Sequence, residues 1–192
     1  MLARLQNCPS NPGAEKPVIT PDLSPYLIHE NPGHDLREKL ANLIDSNGHA
    51  PQPVDRDVMH NAPYVLIVCD KSDNIIAGTC IKFAQQDTAE FGFSIVQNAF
   101  RRTGLGYWMT QRRLSRAGEM GISLVYSMVR DNNQASRNNL KKSGFRHAGR
   151  YLHRSDQKIR LDWYVKMLRP MSRRERNSLM RQIISDRIAV IH

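Results

Sequence analysis

Cysteine is scarce in this chain: Cys8, Cys69 and Cys80 are all it has, and no two form a CxxC pair. An odd, scattered set supports neither a disulfide framework nor a Cys-rich zinc site, so a reducing, cytoplasmic setting is expected. Long apolar runs are missing too. None approaches the ~20 residues that cross a bilayer. Met1 to Pro12 lacks the unbroken apolar core of a secretory signal. No membrane partner is therefore expected. Two phosphate-binding fingerprints are also absent: there is no Gly-x-Gly-x-x-Gly, and no Gly-Lys-Ser/Thr after a glycine and four intervening residues. A Rossmann or P-loop site is disfavoured accordingly. His60, His147 and His153 are scattered, and no metal is expected.

Acidic residues run short in one part only. Residues 1–60 carry five Lys/Arg and eight Asp/Glu, a balance of −3. Residues 61–192 carry the remaining twenty-three and ten, a balance of +13. Such a basic half suits a nucleic acid, an anionic small ligand or a solvated surface alike. At 192 residues the chain has room for one domain with a real core.

Patterning along the chain divides it into an irregular, proline-bearing leader (1–22), a mixed domain (23–168) and a basic amphipathic helix (169–192). Tyr26–Glu30 reads as a strand and Asp35–Asp45 as a helix ending near Gly48, with Leu36, Leu40, Leu43 and Ile44 at helical spacing. A short helical turn is expected between Pro53 and Pro63. Tyr64–Cys69 and Ile75–Ala84 flank the turn chemistry of Asp70–Asn74 and predict a hairpin. Glu90–Val96 alternates, which places Phe91, Phe93 and Ile95 on one face. Helices are expected at Leu105–Met120 and Asn132–Ser143, closed by Gly121 and Gly144, with a strand at Ile122–Val129 between them. Tyr151 and Lys158–Met167 mark the last two strands. In the tail, Leu179, Met180, Ile183, Ile184 and Ile188 recur at helical spacing, which predicts packing on the domain or on a second copy, with RNA contact as the lesser option.

The pivotal stretch is Arg101-Arg102-Thr103-Gly104-Leu105-Gly106, between the strand ending at Val96 and a helix free of Gly and Pro until Gly118. A glycine-punctuated turn that opens a helix presents bare backbone N–H groups at the positive end of the helix dipole, an arrangement that holds phosphates. Downstream lies a second motif: Asn133-x-x-Ser136-x-x-x-Leu140-x-Lys142-Ser143-Gly144-Phe145.

Together the two motifs resemble the GNAT superfamily of acetyl-CoA-dependent N-acetyltransferases, most closely its bacterial protein-lysine and ribosomal-protein N-terminal acetylating members. The resemblance covers Tyr64–Met167 well and the first third by element order. It implies a mixed α/β fold with a mostly antiparallel central sheet, flanking helices, and strands splayed at the cofactor site. It further implies that Arg101, Arg102, Thr103, Gly104, Leu105 and Gly106 hold the pyrophosphate of acetyl-CoA. Ile95 and Val96 would pair with the pantetheine arm, and Asn133 would lie beside the cofactor. Glu90, within Ala89-Glu90-Phe91, matches the catalytic glutamate of the lysine acetyltransferases. Ser136 matches a serine assigned the acid role in relatives that acetylate ribosomal-protein N-termini. Many members carry a tyrosine acid where this chain has Leu140. Arg113 stands where a core aliphatic is usual, which leaves snorkelling to solvent or pairing with a buried acid as its two options. The implied activity is acetyl transfer to a primary amine, a protein lysine or N-terminus or a small amine, with Glu90 as general base. Acetylation of an RNA-linked amine and a non-catalytic CoA-binding module remain as alternatives, and a homodimer is compatible with either.

Overall fold

The computed structural model describes residues 20–47, 52–152 and 159–187, with side chains up to Ile183. The expected leader other than residues 20–22, the helix end at Gly48, His153, the strand start at Lys158 and Ile188 lie outside the described residues.

Seven strands form one sheet in the order β1-β2-β3-β4-β5-β7-β6. They are β1 (Leu27–Glu30), β2 (Tyr64–Cys69), β3 (Ile75–Gln85), β4 (Thr88–Val96), β5 (Leu124–Arg130), β6 (Arg146–Leu152) and β7 (Arg160–Met167). Helices α1 (His34–Ser46) and α2 (Arg56–His60) precede β2; α3 (Leu105–Glu119) precedes β5, α4 (Gln134–Lys142) precedes β6, and α5 (Arg173–Arg187) follows β7. Every neighbouring pair is antiparallel except β4 with β5. This is the mixed, mostly antiparallel α/β architecture expected.

β2 is apolar throughout and buried throughout, as a strand covered on both faces must be. Leu66 and Val68 point into a core shared with Leu105, Met109 and Leu114 of α3 and Leu140 of α4. Val65 and Ile67 point the opposite way, against Leu40, Ala41 and Ile44 of α1 and Met59 of α2. Gly78 permits that second contact, because a Cβ there would lie 2.4 Å from Leu40 Cδ1. On the same face, beyond the sheet's middle, Leu179 and Ile183 of α5 bury against Leu124, Tyr126 and Trp163. The tail helix thus packs on its own domain. It is started by Ser172, whose Oγ accepts from Glu175 N at 3.1 Å, the hydroxyl half of a capping box.

Two expectations fail on β4 and α3. Phe91 faces the α3 side, while Ile95 and Phe93 face α1 and α2. The cause is a β-bulge: β3 residues Gly78 and Cys80 pair with Ile95 and Gly92, so β4 carries one extra residue, and Phe93 takes φ 47°. Arg113 neither snorkels nor reaches a carboxylate among the described residues. It is 4% exposed, donates to Cys80 O and Thr110 Oγ1 at 3.3 Å, and lies 4.6 Å from the Phe91 ring centroid. Burial pushes its guanidinium down to about 10. A smaller correction concerns β6, which begins at Arg146, well before Tyr151. Its polar residues hide the strand from pattern reading.

Candidate active site

The sheet's single parallel contact sets up the site. β4 and β5 pair only at Thr88–Leu124, Ala89–Val125 and Glu90–Tyr126, then separate. β4 keeps β3 as its neighbour as far as Val96, and among the described residues its other edge is unpaired from Phe91 onward. Ser127 bridges the vertex of the gap, its Oγ donating to Phe91 O at 2.9 Å. An extended amide chain laid in such a gap finds a strand edge with free backbone groups. Ile95 is buried and Val96 half-buried on that edge.

Past Val96 the chain turns through Asn98–Phe100, a single 3₁₀ turn. Thr103 Oγ1 donates to Phe100 O at 2.7 Å and Arg101 Nε to Val96 O at 3.2 Å, tying the turn to the strand end. Arg102 takes φ 66° and Gly104 φ 90°. A left-handed non-glycine costs about 1 kcal/mol or more, and such strain gathers at ligand sites. Among the described residues, the N–H groups of Arg102 through Tyr107 donate no main-chain hydrogen bond, the first helical bond being Trp108 N to Gly104 O at 3.0 Å. With the α3 dipole behind them, these groups offer what an anion nest requires. Gly106 leaves the approach open, since a Cβ there would meet nothing nearer than Val96 Cγ2 at 3.9 Å.

At the other end of the seam, Glu90 points to the face shared by α1, α2 and α5 and is 4% exposed. Its Oε1 accepts from Lys82 Nζ at 2.8 Å, and its Oε2 lies 3.4 Å from Tyr126 Oη. Lys82 reaches it over Gly92, where a Cβ would sit 2.3 Å from Lys82 Cδ, and the ammonium rests 4.8 Å from the Phe93 ring centroid. Phe83, Gln85, Thr88, Gln182 and Ile183 complete a small cavity with Glu90 and Tyr126, so α5 forms one wall of it.

A splayed parallel pair, an unpaired strand edge and a free-amide nest fit a long ligand with a pyrophosphate and an amide-rich arm. Residues 33–145, more than half of the chain, match the model of the acetyltransferase (GNAT) family. The chain belongs to that family. It is an acyltransferase. Among solved structures, Ard1 from Thermoplasma volcanium superposes with a TM-score of 0.63 at 14% identity, over 76% of this chain and 99% of its own. The ribosomal-protein-S18-alanine N-acetyltransferase from Escherichia coli gives 0.61 at 13% identity, over 77% and 97%. The yncA protein from Salmonella typhimurium, solved with its cofactor acetyl-CoA, gives 0.59 at 15%, over 77% and 96%. These likenesses are of fold. No curated protein sequence matches the chain.

Within this GNAT protein the remaining candidates divide between two faces. Asn133 caps α4, its Oδ1 accepting from Ser136 N at 3.1 Å. Ser136 is half-buried on α4, on the side of the sheet opposite Glu90, so the gap between β4 and β5 separates the two. Leu140 is buried in the core below. Four functional-looking groups escaped the sequence reading. Lys82 and Tyr126 meet Glu90 only through strand register, β3 and β5 flanking β4. Asn139 joins α4 to α3, donating to Gly106 O at 3.1 Å and Thr110 Oγ1 at 2.9 Å. Its spacing from Asn133 and Ser136, three residues each, was the available signal, since it places all three along one side of a helix. Asp162 is fully enclosed on β7 and gathers Arg150 Nε at 2.8 Å, His147 Nε2 at 3.2 Å and Arg137 Nε at 3.3 Å, the last without hydrogen-bond alignment. Arg150 first, then His147, holds its carboxyl below the usual carboxylate range. Among the described residues none of the candidate site side chains belongs to a metal-ligand cluster. No helix there is long and apolar enough to cross a membrane.

Proposed function

We propose that this protein transfers acetyl from acetyl-CoA to a primary amine, a protein lysine or an N-terminal α-amine, with Glu90 taking the proton. The observation that carries this reading is the parting of β4 from β5 immediately after Glu90, beside the free amides of Arg102–Tyr107. Those amides, with the charge of Arg101 and Arg102, would hold the pyrophosphate, and Thr103 would fix the turn that presents them. Leu105 and Gly106 start the helix whose dipole faces it. The Ile95–Val96 edge would align the pantetheine arm, and Asn133 would shape α4 beside it. The bound co-substrate supplies an activated thioester.

The chain's own task is to make the amine nucleophilic. A lysine of pKa ~10.4 is about 0.1% neutral near pH 7.4, a cost of roughly 4 kcal/mol. A buried carboxylate in reach of the ammonium offsets that cost by accepting the proton. Lys82 supports this role for Glu90, because its ammonium, 2.8 Å from Oε1, already stands as an incoming amine would. It must yield for an acceptor to bind. Ser136 would donate to the departing sulfur, although a thiol of pKa ~8.5 leaves as thiolate unaided. Positioning amine and thioester together contributes up to ~7–11 kcal/mol.

CoA release measured against pH, with lysine peptides and free-N-terminus peptides in turn, tests this. With a lysine acceptor, kcat/KM rises with pH toward ~10; with an α-amine it levels near ~8. Release that is independent of any amine contradicts the proposal. A second reading, an RNA-linked amine, rests on exposed Arg173, Arg174 and Arg181 of α5, the helix that walls the Glu90 cavity. RNA affinity that stays flat as salt rises removes it.

A further inference from the structure

A second cluster lies at the far edge of the sheet. In the β1–β2 ladder Leu27 faces Cys69 and His29 faces Ile67. His29 and Cys69 are therefore diagonal neighbours on one face. The β2–β3 turn closes over them. Asp70 Oδ1 accepts from Ser72 N at 2.8 Å and Asn74 N at 2.9 Å, and Asp73 N donates to Asp70 O at 3.1 Å. Asp73 takes φ 63° at the tip, and its carboxylate is brought within 3.9 Å of His29 Nε2. The imidazole nitrogen, the Cys69 sulfur and an Asp73 oxygen all lie within 4.8 Å of one another.

One of these atoms is badly served as it stands. His29 Nε2 is shut off from solvent and has no hydrogen-bond partner among the described residues, an unfavourable state for a polar group. The Cys69 thiol is buried beside it. A cation among the three donors would give the nitrogen its partner and turn the sulfur into a bound thiolate.

We propose that His29, Cys69 and Asp73 form a binding site for a divalent transition metal of the zinc type. One thiolate and one carboxylate neutralise a 2+ ion, and the sulfur and imidazole ligands select against magnesium and calcium. Three protein ligands leave a fourth, solvent-side position beside Asp73, which is 60% exposed. Tetrahedral donors at ~2.0–2.3 Å from a zinc ion stand about 3.5 Å apart, so the widest pair must close by roughly 1 Å. The site would pin β1, a four-residue edge strand, to the end of β2. It would also reach toward the anion nest, because Glu30 of β1 pairs with Arg112 of α3 and Tyr26 packs edge-on against Phe100. Nothing in the sequence spacing of 29, 69 and 73 announces it.

The test is titration of the metal-free full chain with Co²⁺, followed by Zn²⁺ in competition. One cobalt per chain should give thiolate-to-metal charge transfer in the near-ultraviolet and the visible bands of a four-coordinate ion, both erased by zinc. Cys69→Ala should abolish the charge-transfer band, and His29→Gln and Asp73→Asn should each weaken binding at least tenfold. Because Cys69 is buried, His29→Gln also serves as the check in a variant that keeps the β2 core. Zinc should raise the Tm of the wild type and not of His29→Gln. A wild-type spectrum without the charge-transfer band, or a band that survives Cys69→Ala, overturns the site.

Discussion

Two buried carboxylates, one in each half of the sheet, are held in opposite ways. Asp162, on the β6–β7 side, is met by two guanidinium groups and an imidazole from α4 and β6. Glu90, at the β4–β5 seam, is met among the described residues by one lysine and a tyrosine hydroxyl, and a cavity opens beside it. On the proposed mechanism the contrast separates a fixture from a reagent. A carboxylate saturated by fixed partners stabilises its surroundings, whereas one with a single movable partner can exchange it for a substrate amine.

The comparison breaks first on activity. Glu90→Gln should lower turnover by about 10²–10⁴-fold with acetyl-CoA affinity nearly unchanged. Asp162→Asn, assayed below its melting temperature, should leave turnover within about threefold of wild type. Equal losses in steady-state kinetics would erase the distinction. Stability should show the reverse emphasis. Asp162→Asn strands clustered cations and should cost about 3 kcal/mol, the low end for a broken buried pair because Arg150 and His147 are half exposed to screening water. Thermal melts measure this directly.

Acid sharpens the same point. The folded carboxyl of Asp162 titrates below its ordinary 3.8. Its contribution is therefore present above that ordinary value and fades as pH falls through the lower, folded one. The stability gap between wild type and Asp162→Asn should be full at pH 6 and close in strong acid, as followed by denaturant unfolding. A gap unchanged at low pH would contradict the assignment. Arg113 gives the smallest effect. With no carboxylate partner among the described residues, Arg113→Met should leave stability unchanged or raise it by about 1 kcal/mol. A large loss would show that its contacts to Cys80 O, Thr110 and Phe91 outweigh the desolvation of the charge.

The turn proposed to hold the pyrophosphate was legible as a turn because its chemistry is local. Gly104 and Gly106 sit next to each other in sequence and in space, at a strand-to-helix junction that the apolar patterns on either side delimit. β2 and α3 were legible for the same reason. The carboxylate end was legible only at Glu90 itself. Lys82 and Tyr126 reach it through register, which depends on the bulges in β3 and β4. Neither bulge leaves a trace in the alternation of Phe91, Phe93 and Ile95. The left-handed φ of Arg102 was hidden too, because no glycine marks it. Asp162 was missed because its partners come from residues 137, 147 and 150, on a helix and a strand whose polar composition reads as surface.

The central claim is that the amide nest and the opened seam hold acetyl-CoA, and calorimetric titration of acetyl-CoA into the folded protein tests it most directly. The expected result is one molecule per chain, displaced by free CoA, with affinity at least tenfold lower in Gly104→Val, where φ 90° cannot be kept. A folded wild-type protein that takes up no acetyl-CoA, or a Gly104→Val variant that binds it equally well, would contradict the account.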